Sequence, residues 1–163
     1  MLSCQSICYC GCEAQILIPR TALQEEPSPV TAVIWRAPTL CSQYILLAAS
    51  GQRVISLHAT TGTVLSATCM PQEEHQETIL SMAGNSDNTH VATGGSMGSV
   101  HLYDSRGTEV QHSLHFGRSA SAEACLDSSV GHGHTNRVFA MHWHPEDPKL
   151  LFSGGWDKTV QVR

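Results

Sequence analysis

A chain of 163 residues, 41% of them hydrophobic and only 14% charged, is long enough to bury a core and too apolar to stay disordered. Its formal charge of −5, with nine Lys and Arg scattered singly, lacks the clustered basic surface that a phosphate backbone demands, so no nucleic-acid ligand is expected. The longest apolar run, Ile45 to Ala49, is a strand's length and falls far short of the roughly 20 residues of a membrane span.

In chain order, residues 1–29 form a Cys-rich tail and a linker. The opening MLSCQSICYCGC holds no Lys or Arg and no sustained apolar core, so it does not read as a secretory signal. The seven cysteines are then expected as reduced thiols, and the protein as intracellular, cytoplasmic or nuclear. Cys4, Cys8, Cys10 and Cys12 are spaced too tightly for a zinc tetrahedron, and no second pair follows. A free-thiol tail is the simplest reading; lipidation or capture of a soft metal are the alternatives. Ile16 to Ile18 could form a strand, and the Glu/Pro/Ser linker Glu25 to Pro29 sets the start of the folded part at Val30.

From Val30 onward one pattern repeats. The run VTAVIW places Val30, Val33 and Trp35 at offsets 0, 3 and 5; Ile79, Met82 and Gly84 stand at the same offsets, as do Val138, Met141 and Trp143. Residues at offsets 3 and 5 share one face of a strand, so Val33, Trp35, Met82, Met141 and Trp143 are expected to point into a sheet-on-sheet core. Further strands follow in the first unit at Tyr44–Ser50, Arg53–Ala59 and Thr63–Cys69. The second unit continues with His90–Thr93, Val100–Asp104 and Glu109–Leu114, and the last with Leu150–Phe152 and Thr159–Val162. Thr93-Gly94-Gly95 aligns with Ser153-Gly154-Gly155 at an offset of 60 residues, against roughly 40–45 for a common repeat. The Ser/Ala-rich stretch 116–132 accounts for the excess as a loop insertion. Gly94 to Ser99 has the flavour of a phosphate loop but lacks its Lys and helix, and reads as a hairpin turn whose glycines supply positive φ.

The final unit, GHTNRVFAMHWHPEDPKLLFSGGWDKTVQVR, together with its two weaker copies, resembles the WD-repeat β-propeller family. The resemblance implies an all-β partial propeller of about three four-stranded antiparallel blades, near residues 30–69, 75–115 and 133–163, with the last one truncated. It also implies a hydrogen-bond network of His, Ser or Thr, Asp and an aromatic. Carried over, this assigns His134, Ser153 and Asp157 in the last unit, with Arg163 in the aromatic's place. In the middle unit it assigns His75, Thr93 and Tyr103, but Met97 holds the Asp position and breaks the network. In the first unit Glu26 stands in place of the His.

The resemblance implies a non-catalytic scaffold that binds protein partners and needs no cofactor. Candidate contacts are Trp156 first, then Lys158, Arg53, His101 and Arg36. Further blades could complete the ring, and an alternative is a truncated propeller fragment without autonomous function. Ser153, His134 and Asp157 are also the residue types of a nucleophilic triad, but a serine inside a strand is not an exposed nucleophile. The histidines His132, His134, His142 and His144, with the Cys-rich tail, give a third and weaker reading, metal binding.

Overall fold

The computed structural model describes residues 28–36, 44–70, 77–104, 110–114 and 133–163. Residues 1–27, His75, His132 and the 116–132 insertion lie outside them. The described chain forms eleven strands in three antiparallel sheets. The first holds β1 (Val30–Arg36), β2 (Ile45–Ser50), β3 (Arg53–His58) and β4 (Val64–Cys69); the second holds β5 (Ile79–Gly84), β6 (His90–Gly95), β7 (Val100–Asp104) and β8 (Val110–Leu114). The third holds β9 (Val138–Trp143), β10 (Leu151–Gly155) and β11 (Val160–Val162). No helix among the described residues is long and apolar enough to cross a membrane.

The repeated 0-3-5 spacing has a physical origin in the ladders. Each opening strand carries a bulge after its first residue: Val30 pairs with Ser50 but Ala32 with Ala49, and the same shift separates Ile79 from Ser81 and Val138 from Ala140. A bulged residue breaks the alternation, so offsets 0 and 3 fall on one face although they are an odd number apart. Ile79 and Met82 therefore both enter a core with Leu47, Ala49, Val54 and Tyr103 between the first two sheets. Val138, Met141 and Trp143 likewise pack with Ala92, Val100 and Leu151 between the second and third. Polar bonds reinforce the stacking. The Thr31 hydroxyl donates to the Ile79 carbonyl at 2.6 Å, the Ser81 hydroxyl to Val138 O at 3.0 Å, and the Trp143 indole N–H to Ala83 O at 3.1 Å.

In the first sheet the expectation for Val33 and Trp35 is not met: they are 53% and 56% exposed. The 0-3-5 face points toward the preceding sheet in the other two units, and no sheet stands there among the described residues. The opposite face of β1 is the one that packs inward, through Ala32 and Ile34. Ala48, Ile55 and Leu57 form a separate buried cluster on the side shared with Trp35. At the other end, the outer face of the third sheet carries Ala140, His142, Val160 and Val162 exposed.

The glycine pairs depart from the expected turns. Gly94-Gly95 and Gly154-Gly155 end strands rather than form turns, and of these residues none has positive φ. Close approach explains them: a Cβ on Gly94 would lie 2.6 Å from both Ser81 Oγ and Val138 Cγ1. Gly98 alone in this hairpin needs positive φ, at 90°, and its carbonyl accepts the His134 N–H at 2.9 Å across the sheet boundary.

The two tryptophans at one repeat position give opposite forecasts. Trp143→Ala should cost about 3–5 kcal/mol in urea unfolding, as for other buried aromatics, and Trp35→Ala under about 1 kcal/mol. Equal losses would contradict the assignment of faces.

Candidate functional site

In the third sheet the chain enters β9 through Gly133-His134, which lays the His134 ring against the β10–β11 hairpin. The imidazole is fully buried and bridges two partners: Nδ1 lies 2.9 Å from Asp157 Oδ2, and Nε2 lies 2.9 Å from Ser153 Oγ. A carboxylate can only accept, so Nδ1 carries the proton and leaves Nε2 to accept from the Ser153 hydroxyl. Asp157 in turn gathers the turn around itself. Its Oδ2 accepts the Thr135 amide at 3.0 Å; its Oδ1 accepts the Thr159 amide at 3.0 Å and the Thr159 hydroxyl at 2.8 Å. Burial alone would raise the Asp157 carboxyl, but the bonds from Thr159, His134 and Thr135 outweigh it and hold the group well below the usual carboxylate range. A side chain at Gly155 would sit 2.7 Å from His134 Nδ1, so the bridge requires glycine beneath it. Arg163 occupies the strand position of Tyr103, exchanging both backbone bonds with Leu151 and donating to the Gln161 side-chain oxygen; burial lowers its guanidinium.

The second sheet solves the same problem with a residue that the sequence pattern did not single out. His75 is outside the described residues, and Met97 stands where Asp157 stands, exposed to solvent. The carboxylate comes instead from Glu77, at the strand entry. Its Oε1 accepts the Met97 amide at 2.9 Å and the Ser99 amide at 3.3 Å, and its other oxygen lies 4.0 Å from His101 Nε2. A Cβ on Gly95 would fall on this carboxylate, as one on Gly155 would fall on the His134 ring. Burial would raise Glu77, but His101, the Ser99 hydroxyl and the two amides prevail and lower it. The sequence signal was present: the Asp position lacks a carboxylate, and a Glu stands two residues before β5. Thr93 and Tyr103 are both fully buried in this sheet, and burial pushes the Tyr103 phenol up to about 12 against the influence of Thr93.

The expected contact residues separate sharply. Trp156 is 60% exposed at the hairpin tip, and Lys158 is exposed beside it with φ at 64°. The Phe139 ring meets Trp156 edge-to-face at 5.5 Å between centroids, and the Arg137 guanidinium lies over the indole at 5.4 Å. Arg53 is half-buried in the first sheet. Arg36 and His101 are corrections, since both are buried. Arg36 reaches across to the second sheet, donating to the His90 carbonyl at 3.2 Å and to Asn88 O, while His101 Nδ1 lies 2.8 Å from Ser113 Oγ. Neither is placed to meet a partner.

Ser153, His134 and Asp157 have the distances of a nucleophilic triad, but Ser153 is 1% and His134 0% exposed, so no substrate can reach the hydroxyl. The metal reading finds no support in the described residues, where no group of three or more His, Cys, Asp or Glu converges. His134 has both nitrogens committed to the bridge. His144 Nδ1 accepts the amides of Glu146 at 3.2 Å and Asp147 at 3.0 Å, capping a turn. The Cys-rich tail lies outside the described residues.

The family model for the WD domain, G-beta repeat, matches residues 51–104 and 125–162, together more than half of the chain. Comparison with curated proteins gives no match. Among solved structures, "Structure of U3-55K" is similar at a TM-score of 0.60 and 16% identity, over 85% of this chain and 36% of that one. "Crystal structure of RRP9 WD40 repeats" is similar at a TM-score of 0.61 and 16% identity, with the same coverage. At that identity the likeness shows the fold, and the chain spans 36% of the length of these two structures.

Asp157 and Glu77 both sit below their ordinary values in the folded chain, so on acidification the unfolded chain binds protons first. Their stabilisation is complete above the ordinary carboxylate range, about pH 4–5, and is lost as pH falls below it. Thermal unfolding should therefore show a midpoint that drops steeply below about pH 4. Asp157→Asn should lower the midpoint at neutral pH and flatten that acid slope; an unchanged slope would mean that Asp157 carries no folded-state hydrogen bonds of consequence.

Proposed function

Because the chain belongs to the WD40-repeat family, we propose that it is a non-catalytic protein-interaction scaffold, whose sheets hold turn and rim residues in fixed positions for protein partners. The observation that carries this is Trp156: a large aromatic, mostly exposed, on a hairpin fastened from within. Asp157 is fastened to His134 on one side of the turn, and the Trp156 amide donates to Arg137 O at 2.8 Å on the other. A preorganised aromatic loses little entropy when a partner covers it, which is what interface anchors require. Lys158 stands beside the anchor; Arg53 is a secondary candidate. A chain of net charge −5 is poorly suited to a phosphate polymer, so proteins are the expected partners.

The outer face of the third sheet favours a second reading. Val160 and Val162 are 73% and 61% exposed there, so the three sheets would be one arc of a ring completed by further sheets.

One preparation of the chain tests both. In affinity capture, Trp156→Ala should reduce recovery of at least one protein partner by about tenfold or more while the cooperative melting transition is kept. Unchanged recovery of every partner would put the anchor elsewhere. Light scattering on the same sample decides the second reading: a single monodisperse species argues for an autonomous scaffold. Aggregation relieved by adding further sheets argues for the arc.

A further inference from the structure

The third hairpin differs from its counterpart in ways that folding does not require. Arg137, Phe139, Trp156 and Lys158 occupy the positions that the second sheet gives to Thr78, Leu80, Ser96 and Gly98. The backbone is the same in both: the Ser96 amide donates to Thr78 O at 2.8 Å, as the Trp156 amide donates to Arg137 O at 2.8 Å. Small or neutral residues thus build an equivalent hairpin in the same molecule. Lys158 even adopts a positive φ of 64° where the counterpart is glycine at 90°. A lysine held in the left-handed region is strained, and such strain concentrates where a side chain serves a site.

The charges on this corner are unspent. Three cations are exposed among the described residues, Arg137, Lys149 and Lys158; Arg137 lies over the Trp156 ring, and Lys158 follows Trp156 by two residues in the same turn. Neither Arg137 nor Lys158 has a carboxylate partner among the described residues. The nearest acid in sequence, Asp157, is turned inward with both oxygens occupied by His134, Thr135 and Thr159. On the same corner lies an apolar surface, the exposed edge-to-face pair of Phe139 and Trp156.

We propose that the Arg137–Phe139–Trp156–Lys158 corner binds an acidic segment of a partner protein, one aromatic or branched aliphatic side chain lying on the two rings and carboxylates on either side meeting Arg137 and Lys158. The inference rests on the scaffold reading and adds the chemistry of the partner. Local charge complementarity selects this occupant: the two exposed cations can pair with two carboxylates, whereas a nucleic acid needs many phosphate contacts and finds only these two here.

Fluorescence anisotropy with the full chain tests it. The probes are a labelled peptide of alternating Glu-Asp pairs and Phe or Leu, its Gln/Asn isostere, and a short oligouridine. The acidic peptide should bind at least about tenfold more tightly than the isostere, weakening as salt is raised. Arg137→Gln and Lys158→Gly should each weaken it by about three- to tenfold, and Trp156→Ala by more. Lys158→Gly supplies the residue type of the counterpart hairpin, so its fold is kept even if another variant is unstable. Equal binding of acidic peptide and isostere, no effect of Lys158→Gly, tighter binding of oligouridine, or a signal that follows self-association would each overturn the proposal. Partners lost by Trp156→Ala without any preference for the acidic peptide would sink this chemistry and leave the scaffold standing. Partners unaffected by Trp156→Ala, with the acidic peptide still bound at the corner, would sink the anchor instead.

Discussion

A buried imidazole holding a serine on one side and an aspartate on the other is the constraint from which the third sheet takes its order. A buried ring with an unmet nitrogen would be costly, so His134 settles only where both Ser153 and Asp157 meet it. Those two residues lie at opposite ends of the Gly154-Gly155-Trp156 segment. Fixing both defines how β10 leaves the sheet and where the hairpin tip stands. The bridge also reaches across the sheet boundary, because the His134 backbone N–H is taken by Gly98 of the second sheet. Stacking and turn geometry are coupled through one residue.

The second sheet shows that this constraint concerns charge and hydrogen bonds rather than residue identity. Its hairpin amides, from Met97 and Ser99, also converge on a carboxylate, but Glu77 delivers it from the strand entry. Gly95 and Gly155 are glycine for the same reason, since something polar must lie flat on the backbone there. The first sheet is joined differently, through Arg36, which threads inward and donates to carbonyls of the Asn88 turn; burial lowers its guanidinium while Asp104 and Asp87 favour its charge. Three units thus share a backbone plan and differ in the polar groups that fasten it. The chemistry exposed at the rim is free to differ with them.

Much of this was legible in the sequence, for identifiable reasons. Strand alternation and hairpin spacing located the strands, and the 0-3-5 repeat located the opening strand of every sheet. That repeat is the imprint of a bulge position shared by the three units, which periodicity alone could not name. The residues of the His134 bridge were legible through the family resemblance. What could not be read depended on contacts between distant segments. Arg36 looked like a surface cation because its acceptors are carbonyls more than fifty residues away. His101 looked exposed because its neighbours come from elsewhere in the chain, Glu77 from the entry to β5 and Ser113 from β8. Val33 and Trp35 obeyed the repeat pattern yet face outward, because a pattern specifies a face and not whether another sheet covers it.

Amide hydrogen exchange at Thr135 and Thr159 reads the bridge directly, since both N–H groups depend on Asp157 and through it on His134. The two amides should be protected to a similar degree, and His134→Ala should expose both together, leaving the Met97 and Ser99 amides of the second hairpin protected. Exchange of Thr135 and Thr159 at the rate of an open chain in the unaltered protein would contradict a bridge that orders this hairpin.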